Sequence, residues 1–326
     1  MTFLLPYGTI LRKENNFYCR GYTVPRRKGL SASAMKKISL ILALVMIFTC
    51  VFVSCGKEKE SGGLSVTTGG EQSTSDTRLV TGLDGKNLTL PKTVSSVVSL
   101  SPAASIIINS IGASDKIKAA DSVSAEYVTV SSTTDASGSA ALAPDAIFVD
   151  EADASSIGDT TVPVFVIPQA QSVADINNLI RLCGKVLGIN VDDIVTRVTN
   201  VMNVAQMNSA SYSITHTVYI DFGDETVGNG TFISEMLHAS GLENIASMDG
   251  FGTMTDEEIA AANPEFIFTS GDVSAVLSNP ALADTDAVKN EKVYSFNKAD
   301  LRYGTNNIVN VMSIFTDAVS TVLGDK

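Results

Sequence analysis

The sequence predicts an α/β protein of two lobes, each built on a parallel sheet. The length of 326 residues suits about two domains, and 44% of the residues are hydrophobic. Short apolar segments alternate with helical patterns in both halves of the chain. These segments lack polar alternation, which indicates strands that are covered on both faces. A helical stretch at 172–208 separates the halves and is a candidate for a stiff connector.

The first half begins with a hairpin and continues as alternating strands and helices. Alternating apolar residues flank Asp84-Gly85, a dipeptide typical of tight hairpin turns. Pro102 suits the first turn of a helix that ends near Gly112. The predicted strands of this half are 94–100, 117–120, 146–149 and 162–167.

The connecting stretch and the second half repeat this alternation. Ser172 followed by Asp175 is close to a capping box, and apolar residues then recur at helical spacing until Gly188 interrupts them. The second half is predicted to hold strands at 216–222 and 292–297, a helix after the glycine-bounded loop 228–231, a short helix and strand over 256–270, and a final helix at 306–323. The sequence APDAIF at 143–148 matches NPEFIF at 263–268, so the two lobes share a local pattern.

The segment before the first lobe has the pattern of an export signal. Met35-Lys36-Lys37 is followed by 17 uncharged residues, 38–54, and then by Cys55, which is typical of a secretory signal peptide. The ending FVSC resembles a bacterial lipobox, in which the cysteine is lipidated. An uncleaved membrane anchor is the alternative, and both place the rest of the chain outside the cytoplasm. Residues 1–34 are interpreted as an upstream extension or, alternatively, a long basic n-region, and residues 55–78 as a flexible tether.

Charge and composition exclude several functional classes. The formal charge is −12, and residues 55–326 alone carry 15 basic and 34 acidic side chains. Such a chain lacks the basic patches that nucleic-acid binding requires. His216 and His238 are expected to be structural, and two histidines cannot supply a zinc or manganese site. Cys183 lies at a helical apolar position and is expected to be a buried small hydrophobe.

Nine segments of the sequence resemble the iron-siderophore and cobalamin class of bacterial solute-binding lipoproteins, which serve ABC importers. The matching segments, in the family's order, are SVVSLSPAAS at 96–105, IGASDKIKA at 111–119, LAPDAIFV at 142–149, VPVFVI at 162–167, IRLCGKVLG at 180–188, GNGTFISEML at 228–237, SGLENIA at 240–246, MTDEEIAAANPEFIF at 254–268 and AVKNEKVYSF at 287–296. The resemblance implies two Rossmann-like lobes, at 79–171 and 209–326, joined by one long rigid helix at 172–208, with the ligand held in the cleft between them.

The resemblance also implies a function and its partners. A monomer anchored to the membrane by its lipid would bind a ferric chelate, haem or cobalamin on the extracytoplasmic face and deliver it to an ABC permease. The ligand would be cargo, with no cofactor and no catalysis. The family docks on its permease through an acidic residue on each lobe; Glu257 falls at that position in the second lobe, whereas Ser137 stands there in the first, with Asp135 close by.

Candidate ligand contacts lie in loops that follow predicted strands. Aromatic side chains offer flat apolar area to a large ligand, and an arginine offers a fixed fork to ligand oxygens. These candidates are Ser101, Pro102, Tyr127, Phe222, Phe251, Arg302 and Tyr303. The strong negative charge and the single nearby arginine disfavour highly anionic ferric catecholates.

Two other functions are compatible with parts of the sequence. The polar segment 131–139 and the missing first-lobe acid are compatible with a surface interaction protein whose cleft is no longer used. An extracytoplasmic enzyme is the second alternative, disfavoured because no nucleophile–base pair or catalytic motif is found. The glycine-rich loop 228–231 could accept an anion at a helix start, although a structural turn is favoured.

Overall fold

The computed structural model describes residues 76–211 and 215–324. The first lobe contains a parallel sheet of four strands in the order β4-β3-β5-β6. The second contains a parallel sheet in the order β12-β11-β7-β9. The strands are β3 (Val97–Leu100), β4 (Ile117–Ala120), β5 (Ala146–Asp150), β6 (Val164–Ile167), β7 (His216–Asp221), β9 (Leu242–Asn244), β11 (Phe266–Thr269) and β12 (Val293–Ser295). The predicted fold class is confirmed.

Helices cover both sheets, and two short antiparallel pairs complete the structure. The helices are α1 (Pro102–Ser110), α2 (Ala136–Ser139), α3 (Val173–Leu187), α4 (Asp192–Ser209), α5 (Phe232–Ala239), α6 (Asp256–Ala262), α7 (Val273–Leu277), α8 (Asp286–Lys289), α9 (Lys298–Arg302) and α10 (Ile308–Gly324). The antiparallel pairs are β1 (Thr77–Thr81) with β2 (Asn87–Pro91), and β8 (Thr226–Val227) with β10 (Phe251–Gly252).

One hydrophobic core runs through both lobes. It contains the inner face of each sheet together with helices α1, α3, α4, α5 and α10. Alternate residues of β3 point to opposite faces, so Val97 belongs to this shared core and Val98 to a smaller cluster on the outer face. The second sheet has an equivalent outer cluster, which includes Tyr219 and Ile267. The two lobes are therefore packed against each other through common apolar side chains.

The repeated sequence pattern at 143–148 and 263–268 corresponds to a structural repeat. Ala143 and Asn263 precede the two prolines, and both adopt left-handed backbone with φ of 47°. The acids that follow the prolines play equivalent parts. Asp145 accepts hydrogen bonds from the backbone N–H groups of Ser95 and Ser96 just before β3, and Glu265 lies 2.8 Å from Nδ1 of His216 at the start of β7. Each acid therefore holds the amino end of its lobe's central strand.

The predicted connecting helix at 172–208 is two helices, α3 and α4. The capping box of Ser172 and Asp175 begins α3, as expected, and Gly188 ends it in left-handed conformation with φ of 71°. A side chain on Gly184 would lie 2.8 Å from the Ile189 carbonyl and from Val191, so the chain turns back closely on the helix end. The prediction of one continuous helix is thus wrong, because this turn allows α4 to pack on α3. Helix α3 contacts both α1 and α5 and so joins the lobes.

The predicted tether ends earlier than expected, because Thr77 and Arg78 belong to β1. The Arg78 guanidinium donates to the carbonyls of Lys185 (2.8 Å) and Val186 (2.6 Å), at the end of α3. These carbonyls have no partner within their own helix, and a cation is favoured at that helix end. Arg78 therefore attaches the hairpin to the connector.

The expectations for residues 1–75 lie outside the described residues. They concern the upstream extension at 1–34, the signal peptide at 35–54, the lipidation of Cys55 and most of the tether. Across 76–211 and 215–324, no helix is long and apolar enough to cross a membrane.

Candidate functional site

The two lobes touch at a pair of tyrosines. Tyr127 follows a 3-10 turn, Ser124–Glu126, beyond the carboxyl end of β4, and Tyr303 directly follows α9, beyond the carboxyl end of β12. Their hydroxyl oxygens are 3.2 Å apart and hydrogen-bonded, and their rings meet edge to face with centroids 5.3 Å apart. Burial, together with the hydrogen bond to Tyr127, raises the pKa of Tyr303. Ligands of open α/β sheets bind outside the carboxyl ends of the strands, which is where this contact lies.

Three phenylalanines form the second-lobe wall beside this contact. Phe222 follows β7 and is almost completely buried. Its ring lies 5.9 Å from that of Phe251 and 5.4 Å from that of Phe296. Phe251 is half-buried and is the most exposed of the three rings.

Arg302 covers the Phe251 ring and is held in place by an acid. Its guanidinium carbon lies 3.8 Å from the ring centroid, which is a close cation–π contact. Its Nε donates to Oε1 of Glu225 at 2.6 Å, and both side chains are about one-quarter exposed. The terminal Nη groups form no hydrogen bond within the described residues, so they remain as donors for ligand oxygens.

Ser101 and Pro102 are placed differently from the aromatic cluster. Both are buried. Ser101 is the N-cap of α1, where its hydroxyl accepts from the N–H of Ala104, and Pro102 occupies the first turn. The structure therefore assigns both to the start of α1 and gives Ser101 no exposed surface for a ligand. The structure brings together the other predicted contacts, Tyr127, Phe222, Phe251, Arg302 and Tyr303.

Acidic residues at the first-lobe edge were missed by the sequence prediction. Asp121 follows β4, Asp150 ends β5, and Asp153 lies in the 3-10 turn after it. Asp121 and Asp153 help to line a cavity of about 400 Å³ that also reaches Asp135 and Ser137. Burial raises the pKa of Asp150 to about 6, and the charges of Asp121 and Asp153 act in the same direction. The sequence could have indicated these three aspartates, because each follows or ends a predicted strand.

The expected permease contacts differ between the lobes. Glu257 is exposed in the first turn of α6 and forms no ion pair or hydrogen bond within the described residues. Asp135 is instead the N-cap of α2, where its carboxylate accepts from the N–H of Gly138 at 2.7 Å and from the hydroxyl of Ser137 at 2.8 Å. Glu257 in the second lobe is therefore free to contact a partner, whereas the carboxylate of Asp135 in the first lobe is already hydrogen-bonded at the start of its helix.

The remaining expectations concern histidine, cysteine and glycine. His216 is buried against Glu265, whereas His238 is exposed on α5. Cys183 is buried, as expected, and burial raises the pKa of its thiol. A side chain on Gly228 would collide with the Met248 carbonyl, so this glycine allows a close approach of the two backbone segments. Within 76–211 and 215–324, no group of three or more His, Cys, Asp or Glu residues could hold a metal ion.

Comparison with known proteins identifies the family. A family model described as "Periplasmic binding protein" matches residues 97–299. This match covers more than half of the chain, which therefore belongs to the periplasmic binding protein family, as its resemblance predicted.

Individual relatives agree with this assignment. The chain is 25% identical over 288 residues to the uncharacterized ABC transporter substrate-binding lipoprotein YvrC of Bacillus subtilis (strain 168), a match that covers 80% of this chain and 90% of YvrC. The apo form of the periplasmic heme-binding protein RhuT from Roseiflexus sp. RS-1 superposes with a TM-score of 0.58 at 21% identity, covering 69% of this chain and 99% of RhuT. The periplasmic vitamin B12 binding protein BtuF of Vibrio cholerae gives a TM-score of 0.56 at 17% identity, covering 70% of this chain and 97% of BtuF. At these identities the two structures support the two-lobed fold alone.

Proposed function

We propose that the protein is an extracytoplasmic solute-binding lipoprotein that delivers a ferric chelate, haem or cobalamin to an ABC importer. One observation carries the proposal: Tyr127, Phe251, Arg302 and Tyr303 meet where the carboxyl ends of strands from both lobes come together. Half-buried aromatic surface with a few fixed polar donors suits a large, flat or macrocyclic ligand. The bound ligand is cargo, and binding is non-covalent.

The family and its named relatives support the delivery step. YvrC is described as the substrate-binding lipoprotein of an ABC transporter, and RhuT and BtuF as binders of heme and of vitamin B12. Glu257 is available as one permease contact because its carboxylate is exposed and unpaired within the described residues. Lipidation at Cys55 would hold the protein at the membrane; incorporation of labelled fatty acid, lost in Cys55→Ala, is the expected result.

A ligand screen tests the proposal directly. The full chain, solubilised in detergent, is titrated with cobalamins, haem and ferric hydroxamates, catecholates and citrate. The sequence has 8 tyrosines and no tryptophan, so tyrosine fluorescence is a clean monitor. A ligand at 100 times its Kd should stabilise the fold by about 2.7 kcal/mol, which is visible as a higher Tm. Arg302→Ala and Tyr303→Ala should each weaken that ligand, whereas Tyr294→Ala, in the second-lobe core, should change mainly Tm.

The Tyr127–Tyr303 contact favours one alternative function. It joins the lobes where a ligand would have to enter. A surface interaction protein with an unused cleft would keep this contact permanently. Absence of binding across the whole ligand panel, with Tm unaffected by every member, would support that alternative.

A further inference from the structure

Both cations of α9 are neutralised by acids of one loop. Residues 222–225 follow β7 and carry Asp224 and Glu225 side by side. Lys298 donates through Nζ to Oδ1 of Asp224 and to the Phe222 carbonyl, both at 3.2 Å, and Arg302 donates to Glu225 at 2.6 Å. Each cation of α9 is therefore paired with an acid, whereas Asp221 at the end of β7 forms no ion pair within the described residues.

The Arg302–Glu225 pair is the one that matters most for a ligand. Both side chains are about three-quarters buried, so their interaction is screened less by solvent and salt than that of an exposed pair. Glu225 bonds the Arg302 guanidinium where its central carbon lies 3.8 Å from the Phe251 ring centroid, and the bond through Nε leaves the Nη groups as hydrogen-bond donors. The Arg302–Glu225 pair as a whole therefore adds no net charge.

The first-lobe edge carries negative charge that nothing on it balances. Asp121, Asp150 and Asp153 lie at the carboxyl ends of its strands, and none forms an ion pair within the described part of the chain. Glu126 immediately precedes Tyr127, which contacts Tyr303, and Glu126 is exposed. A ligand in contact with both lobes would experience a field that is negative overall.

We propose that the cleft selects metal chelates that carry no net negative charge, and discriminates against anionic ones. The proposal rests on the proposed function and narrows its ligand to neutral or cationic hydroxamate chelates and cobalamins. An anionic chelate would meet unbalanced carboxylates on one wall and a cancelled guanidinium on the other.

Sets of related ligands that differ mainly in charge provide the test. For hydroxamates, the ferric complex of a linear trihydroxamate is used with its terminal amine free (+1), acetylated (0) or succinylated (−1). For haem, the diacid is compared with its dimethyl ester, and for cobalamin, cyanocobalamin with its monocarboxylic acid. In whichever class binds the full chain, the neutral or cationic member should bind about tenfold more tightly than the anionic member. That ratio should shrink as salt is raised from 0.05 M to 0.5 M.

Two variants test whether these acids cause the charge preference of the ligand site, and a third variant is the control. Glu225→Gln frees the charge of Arg302 and should reduce the tenfold ratio to about threefold or less. Asp153→Asn, at an exposed position, should reduce it to a smaller extent without affecting the fold. Glu243→Gln removes the same charge from the exposed edge strand β9 and should leave the ratio unchanged.

The possible outcomes separate this proposal from the function on which it rests. Tighter binding of the anionic member, or a ratio that Glu225→Gln and Asp153→Asn both leave intact, overturns the charge selection while the solute-binding function stands. Binding of no member of any class contradicts the proposed function, and the charge selection is rejected with it.

Discussion

The two lobes share a plan and differ beyond the carboxyl ends of their parallel strands. Both place a central strand between two parallel neighbours and hold its amino end with an acid after a left-handed residue and proline, Asp145 in the first and Glu265 in the second. Each sheet has one strand that ends in an acid, Asp150 on β5 and Asp221 on β7, but beyond the strand ends the first lobe carries Asp121 and the second carries Phe251 and Arg302. The shared features at the amino ends of the strands stabilise each sheet. The differences at the carboxyl ends are therefore the better guide to function.

The residues that follow the two central strands show the same division. Ser101 follows β3 and caps a helix, whereas Phe222 follows β7 and packs against two other rings. After the first lobe's central strand the chain is stabilised by a helix cap, whereas after the second lobe's central strand it is stabilised by aromatic packing. Substitutions on the two edges test how far that division extends.

Phe222→Ala should have the largest effect. It removes a ring that is almost fully buried between Phe251 and Phe296, and such truncations cost about 3–5 kcal/mol through lost burial and the cavity left behind. Urea denaturation of the variant should show this loss. Because Arg302 rests on Phe251, ligand affinity should fall as well.

Ser101→Ala is the matched change in the first lobe. Loss of its N-cap bond should cost only about 1 kcal/mol. A cost for Ser101→Ala equal to that of Phe222→Ala would mean that the two edges are not organised differently.

Asp150→Asn should stabilise the protein at pH 7.5. The pKa of Asp150 is raised to about 6 by burial, above the roughly 4 expected in the unfolded chain, so its ionisation opposes folding. The stabilising contribution of the raised pKa is therefore present below about pH 4 and lost as the pH rises through 6. The variant should gain about 1–2 kcal/mol at pH 7.5, less than the full pKa shift implies because the carboxyl group is partly solvated.

The pH dependence distinguishes this mechanism from a simple gain in packing. The difference between Asp150→Asn and the parent should disappear near pH 4. Asp153→Asn, at an exposed position of the same edge, should change stability by less than about 0.5 kcal/mol at either pH. A parent more stable than Asp150→Asn at pH 7.5 would show that the ionised carboxylate is favourably bonded in the folded state.

Local patterns were sufficient to predict most of the fold. Strand β4 has the predicted bounds, 117–120, and the capping box at Ser172 and the left-handed Gly188 form as expected. These features depend on residues close together in the chain. The break between α3 and α4 was visible at Gly188, but the reversal of direction depends on packing against other helices, which a periodic pattern does not encode.

The site was less predictable because its contacts join distant residues. Arg302 and Glu225 are 77 residues apart, and Tyr127 and Tyr303 are 176 apart. Aromatic and arginine side chains after strands were identifiable as candidates, but no local pattern showed that Glu225 would cancel the charge of Arg302. The buried state of Ser101 likewise follows from the packing around it and not from its neighbours in sequence.

Glu257→Ala should weaken coupling to the importer by about tenfold, close to 1.4 kcal/mol. Its carboxylate is exposed and free for a cation on the permease, whereas that of Asp135 is used to cap α2. Binding to the reconstituted importer, or stimulation of its ATPase, measures the effect. Asp135→Ala should instead lower stability by about 1 kcal/mol with little loss of coupling. If both variants reduce coupling equally, the lobes dock symmetrically and the helix cap does not compete with docking.

Tyr127→Phe should have the smallest effect, because it removes one hydroxyl from the contact between the lobes. The loss of a partly exposed hydrogen bond should cost about 1 kcal/mol or less. The pKa of Tyr303 should fall while burial keeps it above its ordinary value, because burial is the larger cause of its rise. Difference absorbance at alkaline pH follows the ionisation of the tyrosine hydroxyls. The ionisation step that is missing in Tyr303→Phe belongs to Tyr303. Tyr294→Phe, whose ring stacks on Phe268 within the second lobe, should leave that step in place. An unchanged Tyr303 titration in Tyr127→Phe would mean that the lobes are not joined through these hydroxyls in solution, and that the shared core alone holds them together.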